Sequence, residues 1–248
     1  MKNVNIQLYS VRNSLKEDFK GTLKKIADIG YDGVEFCMNF GGMSADELSE
    51  YLDFLGLDFV ALHTSLETLE DDGEFDRITE YLSKCGCLYV VDGYESPESV
   101  EEAILLGQRQ KKMAEKLAMN GFNYLYHTHG NELKRKDENG NTYFDIMMNE
   151  TELTLVEFDI FWLEWAGVSI DDYFRKYAGK INLVHLKQMK DLDKKEECLA
   201  KDGCINYTEV IKSAKKFGAE YFIIEQGQCD DEMHAAKQNY EFVKSINV

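Results

Sequence analysis

Hydrophobic and polar positions along the chain switch repeatedly between two periods. In Phe19–Ile29 the apolar residues Phe19, Leu23, Ile26, Ala27 and Ile29 recur at roughly helical spacing, with Asp18 as a cap and Gly30 as a stop. Ser44 followed by Glu47 is a capping-box signature, opening a helix through Leu55 that Gly56 closes. The pattern predicts further helices over Phe75–Lys84, Glu98–Met119, Tyr143–Met148, Ile170–Tyr177, Tyr207–Phe217 and Met233–Ile246. Pro97, the only proline, stands at the start of the second of these, where a missing N–H costs nothing. Between the helices lie short apolar runs of strand length: Val4–Tyr9, Gly33–Cys37, Leu57–His63, Cys87–Val91, Phe122–His127, Thr154–Asp159, Ile181–Lys187 and Tyr221–Glu225.

Strands that alternate with helices demand a parallel sheet, and about eight such units fill the 248 residues without a linker or a composition break. That is the size of a closed (β/α)8 TIM barrel, expected as one domain over residues 1–248. An open doubly wound sheet would more often begin with a glycine-rich turn, and Tyr9-Ser10-Val11-Arg12-Asn13 has no glycine. Lys134–Asn141 reads as a charged loop. Gln188–Ile205 is a loop of unusual length, rich in Lys, Asp and Glu, of the kind that forms lids or binding loops.

Composition narrows the function classes. Apolar residues make up 44% and charged residues 30%, enough for a large core under a solvated surface. The formal net charge of −18, from 28 basic and 46 acidic residues, repels a phosphate backbone, so nucleic acid is not an expected partner. The same charge disfavours anionic membranes, and no apolar run approaches the roughly 20 residues that span a bilayer. Met1-Lys2-Asn3-Val4-Asn5 runs straight into a strand without the features of a signal peptide, which predicts a cytoplasmic protein. The six cysteines are scattered and are expected as reduced thiols; Cys85-Gly86-Cys87 is one residue short of a zinc-binding pair and has no second pair beside it.

Candidate chemistry lies at the ends of the strands. Alternate residues of a strand share a face, so Glu157 and Asp159 point together, as do His185 and Lys187. The strand ends as a whole carry Glu35, His63, His127 with His129 and Glu132, Glu157 with Asp159, His185 with Lys187, and Glu225. A closed barrel gathers such groups at one mouth. Carboxylates with one or two imidazoles suit Mn, Mg, Zn, Co or Fe as divalent ions, and the absence of thiolate speaks against a structural zinc site. Asp159, His185 and Glu225 are the expected ligands of a catalytic metal with open positions, and Glu132 the expected fourth. Glu35 and Glu157 read rather as salt-bridge partners inside the barrel than as ligands, and His63 reads equally as a hydrogen-bonded core histidine and as a working one.

The sequence resembles the xylose isomerase-like TIM barrels known as sugar phosphate isomerases/epimerases, over nearly its whole length. Ile6-Gln7-Leu8-Tyr9-Ser10-Val11-Arg12 is similar to the opening strand of one branch, and Thr22-Leu23, Ile29-Gly30-Tyr31 and Gly33-Val34-Glu35 continue the match. His127-Thr128-His129-Gly130-Asn131-Glu132 resembles that branch's His-Asn-His-Asp-Phe-Glu. Phe158-Asp159-Ile160-Phe161-Trp162 with Ala166-Gly167, Val184-His185-Leu186-Lys187 and Ile224-Glu225-Gln226 follow in the family's order. The resemblance implies a divalent metal on Asp159, His185 and Glu225, with Glu132 or a histidine taking the place of a glutamate that other branches carry near Tyr126 or His127. Two departures stand out: Lys201-Asp202-Gly203 replaces the family's Gly-Glu-Gly, and Phe161 stands where the branch has glycine.

The implied chemistry is isomerisation or epimerisation of a sugar or keto-sugar. Its hard step removes a proton beside a carbonyl and leaves an enediolate, whose charge a divalent cation stabilises. Glu225 is the expected base, His129 or Glu132 the group that returns the proton, and Lys187 a donor to the developing oxyanion. Tyr9, Glu35, His63, His127 and Trp162 are the expected substrate contacts. A keto-sugar or inosose dehydratase is the nearest rival and a sugar-binding protein without turnover another. No glycine-rich phosphate loop is present, so an unphosphorylated substrate is as much expected as a phosphorylated one. A homodimer is the expected assembly, if any.

Overall fold

The structure, a computed structural model, describes residues 3–247. Eight parallel strands close into a barrel in sequence order: β1 (Val4–Gln7), β2 (Gly33–Cys37), β3 (Asp58–His63), β4 (Tyr89–Asp92), β5 (Asn123–His127), β6 (Leu155–Asp159), β7 (Ile181–Leu186) and β8 (Tyr221–Ile224), with β8 paired back onto β1. Helices cover the outside, so the strands are buried on both faces, which is why they read as apolar runs. The fold is a (β/α)8 TIM barrel. Among the described residues no helix is long and apolar enough to cross a membrane. All six cysteines are free thiols.

Local signals placed most helices. Phe19–Ile29 runs from Asp18, whose side chain accepts from the Gly21 N–H, to Gly30 in the left-handed conformation. Ala45–Leu55 carries the full Ser44–Glu47 capping box. Other boundaries moved. β1 stops at Gln7, because the Gln7 side chain accepts from the Tyr9 N–H and turns Leu8–Val11 into a 3-10 turn. The long helix begins at Val100, not Glu98, since Ser99 caps it by accepting from the Glu102 N–H; Pro97 lies ahead of the helix, and its carbonyl accepts from Arg135. Short helices at Leu66–Glu70, Gly130–Lys134 and Ile160–Ala166 have no counterpart in the sequence pattern, being too brief to establish a period.

The barrel interior has an apolar floor and a polar upper layer. Val60, Ala61, Val91, Leu125, Leu183 and Ile223 form the floor. Two residues beyond Ala61, Leu125, Leu183 and Ile223, the same inward face carries His63, His127, His185 and Glu225. The ladder skips a residue twice: Val34 pairs with Phe59 but Glu35 with Ala61, and Val156 pairs with Ile181 but Glu157 with Leu183. Each bulge sits beside an inward glutamate, and bulges re-aim side chains in this way. β2 and β6 lie four strands apart in a ring of eight, so the two glutamates meet across the axis.

Candidate active site

The C-terminal mouth of the barrel opens into a cavity of about 600 Å³ whose wall includes Tyr9, His63, His127, His129, Trp162, Lys187 and Glu225. Parallel strands and their following turns deliver all of these, as the topology requires. Two groups of potential ligands lie here, each with its ligand atoms within 4.8 Å of one another. The upper group is His127, Asp159, His185 and Glu225; the lower is His63, His127, Glu157 and His185. The histidines at the ends of β5 and β7 belong to both.

In the upper group, Asp159 caps the helix Ile160–Ala166 through Oδ1, which accepts from the Phe161 N–H at 2.8 Å. Its other oxygen, Oδ2, is buried without a hydrogen-bond partner and lies 4.0 Å from His127 Nε2. Burial pushes the Asp159 carboxyl up to about 7, against the pull of Lys187. Glu225 Oε2 meets His185 Nδ1 at 2.8 Å and its Oε1 accepts from Lys187 Nζ at 3.1 Å. Burial alone would raise the Glu225 carboxyl, but Lys187 and His185 override it and hold it well below the usual carboxylate range. Lys187 also meets Glu197 at 3.1 Å and lies over the rings of Phe161 and Trp162. Burial would lower Lys187, yet Glu225, Asp159 and Glu197 keep it charged.

Below this, Glu35 and Glu157 are fully buried. His63 Nε2 stands between Glu35 Oε1 at 2.9 Å and Glu157 Oε2 at 2.7 Å. His185 Nε2 stands between Glu35 Oε2 at 2.7 Å and Glu157 Oε1 at 3.2 Å. His127 Nδ1 meets Glu157 Oε2 at 2.8 Å. Burial opposes charge on His63 and His185, but the two glutamates raise both imidazoles well above their ordinary value. His127 and His129 have no such excess of carboxylate, and burial lowers them to about 4 and about 3.

Two sequence expectations lie elsewhere than anticipated. Glu132 does not join the upper group: it sits in the helix Gly130–Lys134, where Oε1 accepts from the His129 backbone N–H, and His127 occupies the fourth place. A residue five positions past a strand end follows the local capping geometry rather than the strand direction. Glu35 has no exposure and is absent from the cavity wall, so it faces imidazoles rather than a substrate. Tyr9, His63, His127, His129, Trp162 and Lys187 do line the cavity. Tyr94 and Glu95, in the turn after β4, and Asn131 and Trp165, in the short helices Gly130–Lys134 and Ile160–Ala166, line it too; segments this brief have no periodicity to mark them. Glu197 reaches Lys187 from the long loop, whose charge was the only signal.

Residues 23–246 match the family of xylose isomerase-like TIM barrels. No curated protein matches the chain significantly. Among solved structures, a sugar phosphate isomerase/epimerase from Parabacteroides distasonis superposes with a TM-score of 0.82 at 17% identity, covering 98% of this chain and 93% of that one. The probable 3-DHS dehydratase of Bacillus anthracis gives 0.79 at 15% identity, covering 99% and 100%. The IolI protein with a bound zinc atom gives 0.78 at 16% identity, covering 98% and 97%. With the barrel closed in the family's order and nearly the whole chain matched, the chain belongs to the xylose isomerase-like TIM barrel family.

Proposed function

We propose that the chain is a divalent-metal-dependent isomerase or epimerase of a sugar or keto-sugar. The observation that carries this is the upper group: two carboxylates and two imidazoles converging at the mouth, with a buried Asp159 oxygen that no hydrogen bond satisfies. Such an orphan oxygen is costly unless a cation or water meets it. The donor set, nitrogen and oxygen without thiolate, fits Mn, Co, Zn, Mg or Fe, held by His127, Asp159, His185 and Glu225. When bound, the cation supplies Lewis acidity against negative charge on a substrate oxygen.

The chain's own groups supply the rest. Glu225, ionised beside Lys187, takes the proton from the carbon next to the carbonyl and leaves an enediolate. His129, kept neutral by burial, offers a ring N–H from another part of the wall. Return of the proton to the opposite face gives an epimer, and return to the neighbouring carbon an isomer. Lys187 donates toward the developing oxyanion, and Trp162 with Tyr9 gives the ring faces on which a sugar packs.

The test begins with elemental analysis of protein purified without chelator, alongside an Asp159→Asn, His185→Ala double variant. One Mn, Co, Zn or Fe per chain, lost in the variant, is expected. Metal at a hundredfold excess over Kd should add about 2.7 kcal/mol, or roughly 5–10 °C in Tm. Keto-sugars incubated in D₂O should then exchange a C–H. Loss of water from the product would make the enzyme a lyase. Saturable sugar binding without exchange would make it a binding protein, and no metal uptake at all would remove the proposed chemistry.

A further inference from the structure

The lower layer does something that neither a substrate contact nor a packed core explains. Two fully buried carboxylates occupy the centre of a barrel, where aliphatic side chains ordinarily pack. Buried carboxylates persist only when paired and hydrogen-bonded. Here their partners are the inward nitrogens of the same two imidazoles whose outward nitrogens face the mouth. His127 turns Nδ1 to Glu157 and Nε2 toward Asp159. His185 turns Nε2 to Glu35 and Nδ1 to Glu225.

We propose that Glu157 and Glu35 are positioning residues that hold the inward ring hydrogens of His127 and His185, so that a metal at the mouth is met by the outward nitrogens. This rests on the metal-dependent reading given above. A carboxylate can only accept, so the nitrogen it meets carries the hydrogen. His127 meets a carboxylate at hydrogen-bond distance only through Nδ1, so its proton sits there and Nε2, 4.0 Å from Asp159, is left with its lone pair toward the mouth. His185 meets Glu35 through Nε2 and Glu225 through Nδ1, so both nitrogens carry hydrogen in the metal-free chain; a metal at Nδ1 would take the place of that outward proton, while Glu35 keeps the inward one. Carboxylates behind metal-binding imidazoles generally act this way, orienting the ring and raising its basicity. His63 completes the layer: its Nε2 lies within 2.9 Å of Glu35 and 2.7 Å of Glu157 and ties the two carboxylates together. The two bulges serve the same end, since each adjoins one of these glutamates and sets the register of the histidine strand beside it.

The alternative use of the lower layer is a second cation on His63, His127, Glu157 and His185. With a cation above as well, that would require both rings shared between the groups to give up both ring protons. A single cation at the mouth leaves both inward ring protons in place.

The experiment uses the whole chain labelled with 15N-histidine and loaded with Zn²⁺. Ring 15N spectra should show His127 Nδ1 and His185 Nε2 protonated and their partner nitrogens shifted by the metal. Glu157→Ala should weaken Zn²⁺ binding, measured by chelator competition, by about tenfold to a hundredfold. Glu157→Gln, which keeps an acceptor oxygen, should recover part of that loss. Zinc on the inward nitrogens, two zinc ions per chain, or unchanged affinity in a folded Glu157→Ala chain would overturn the proposal while leaving a metal enzyme in place. If the variants do not fold, the spectrum of the natural chain still decides. Failure of the natural chain to bind zinc, cobalt or manganese would sink the metal reading itself, and this proposal with it.

Discussion

Glu95 shows what a single side chain can do to this molecule. It stands in the cavity wall near Asp92, a fully buried carboxylate that accepts from the Tyr124 hydroxyl at 2.9 Å. Burial, and then the charge of Asp92, push Glu95 up to about 8, while Arg109 at 3.9 Å only partly offsets this. The unfolded chain releases that proton near pH 4.3 or so, whereas the folded chain keeps it to about 8. The folded state therefore binds more protons between these values, and stability falls as pH rises through the window. Glu95→Gln should flatten the decline of Tm between about pH 5 and 8, with a modest effect because part of the side chain is in water. Equal slopes in variant and natural chain would show that Glu95 titrates normally. Asp159, His185 and Glu225 were legible in the sequence because strand ends point where the strand points. Glu95 was not, because its position depends on how a turn folds back over the mouth.

The element that most needs explaining is the segment from Gln188 to Ile205, which has almost no regular structure yet is held firmly. The buried Gln188 amide donates to the Ala200 and Ile205 carbonyls at 3.1 Å each and accepts from the Met189 and Ile205 N–H groups at 2.9 and 3.0 Å. Its side chain passes so close to Gly203 that a Cβ there would come within 2.2 Å of Gln188 Cγ. The departure Lys201-Asp202-Gly203 thus keeps a glycine where the packing allows nothing larger. The far side is latched by Glu197, which accepts from the Gly227 and Gln228 N–H groups at 2.7 and 3.1 Å and meets Lys187. Gln188→Ala would strand several buried backbone groups and should cost roughly 1–3 kcal/mol. Denaturant unfolding measures that loss, and faster amide exchange across 189–205 should accompany it. Preserved stability would mean that water replaces the amide.

At the scale of the whole molecule, charge is the dominant feature. With 46 acidic and 28 basic residues the surface repels itself, and the exposed ion pairs, such as Lys24–Asp28 at 2.6 Å, are individually weak. Salt screens long-range repulsion over about 10 Å at 0.1 M. Tm should accordingly rise as NaCl is added from low ionic strength. A fall would show that attractive pairs outweigh net repulsion. In the cavity wall the positive charge of Lys187 is likewise shared between Glu197 and Glu225.

The sequence by itself determined the alternation of strands and helices, the barrel they form, and which strand ends carry carboxylates and imidazoles. These are properties of local period, capping and chain length, which act within a few residues. Tertiary structure alone decided that Glu35 and Glu157 meet across the axis, that His127 rather than Glu132 completes the upper group, and that Glu197 returns to Lys187. Those outcomes depend on the register of parallel strands, on two bulges that each insert one residue, and on a loop folded around one glutamine. A one-residue shift in any strand would turn its inward groups outward. The period of a sequence fixes which residues share a face, and only closure of the barrel fixes which faces meet.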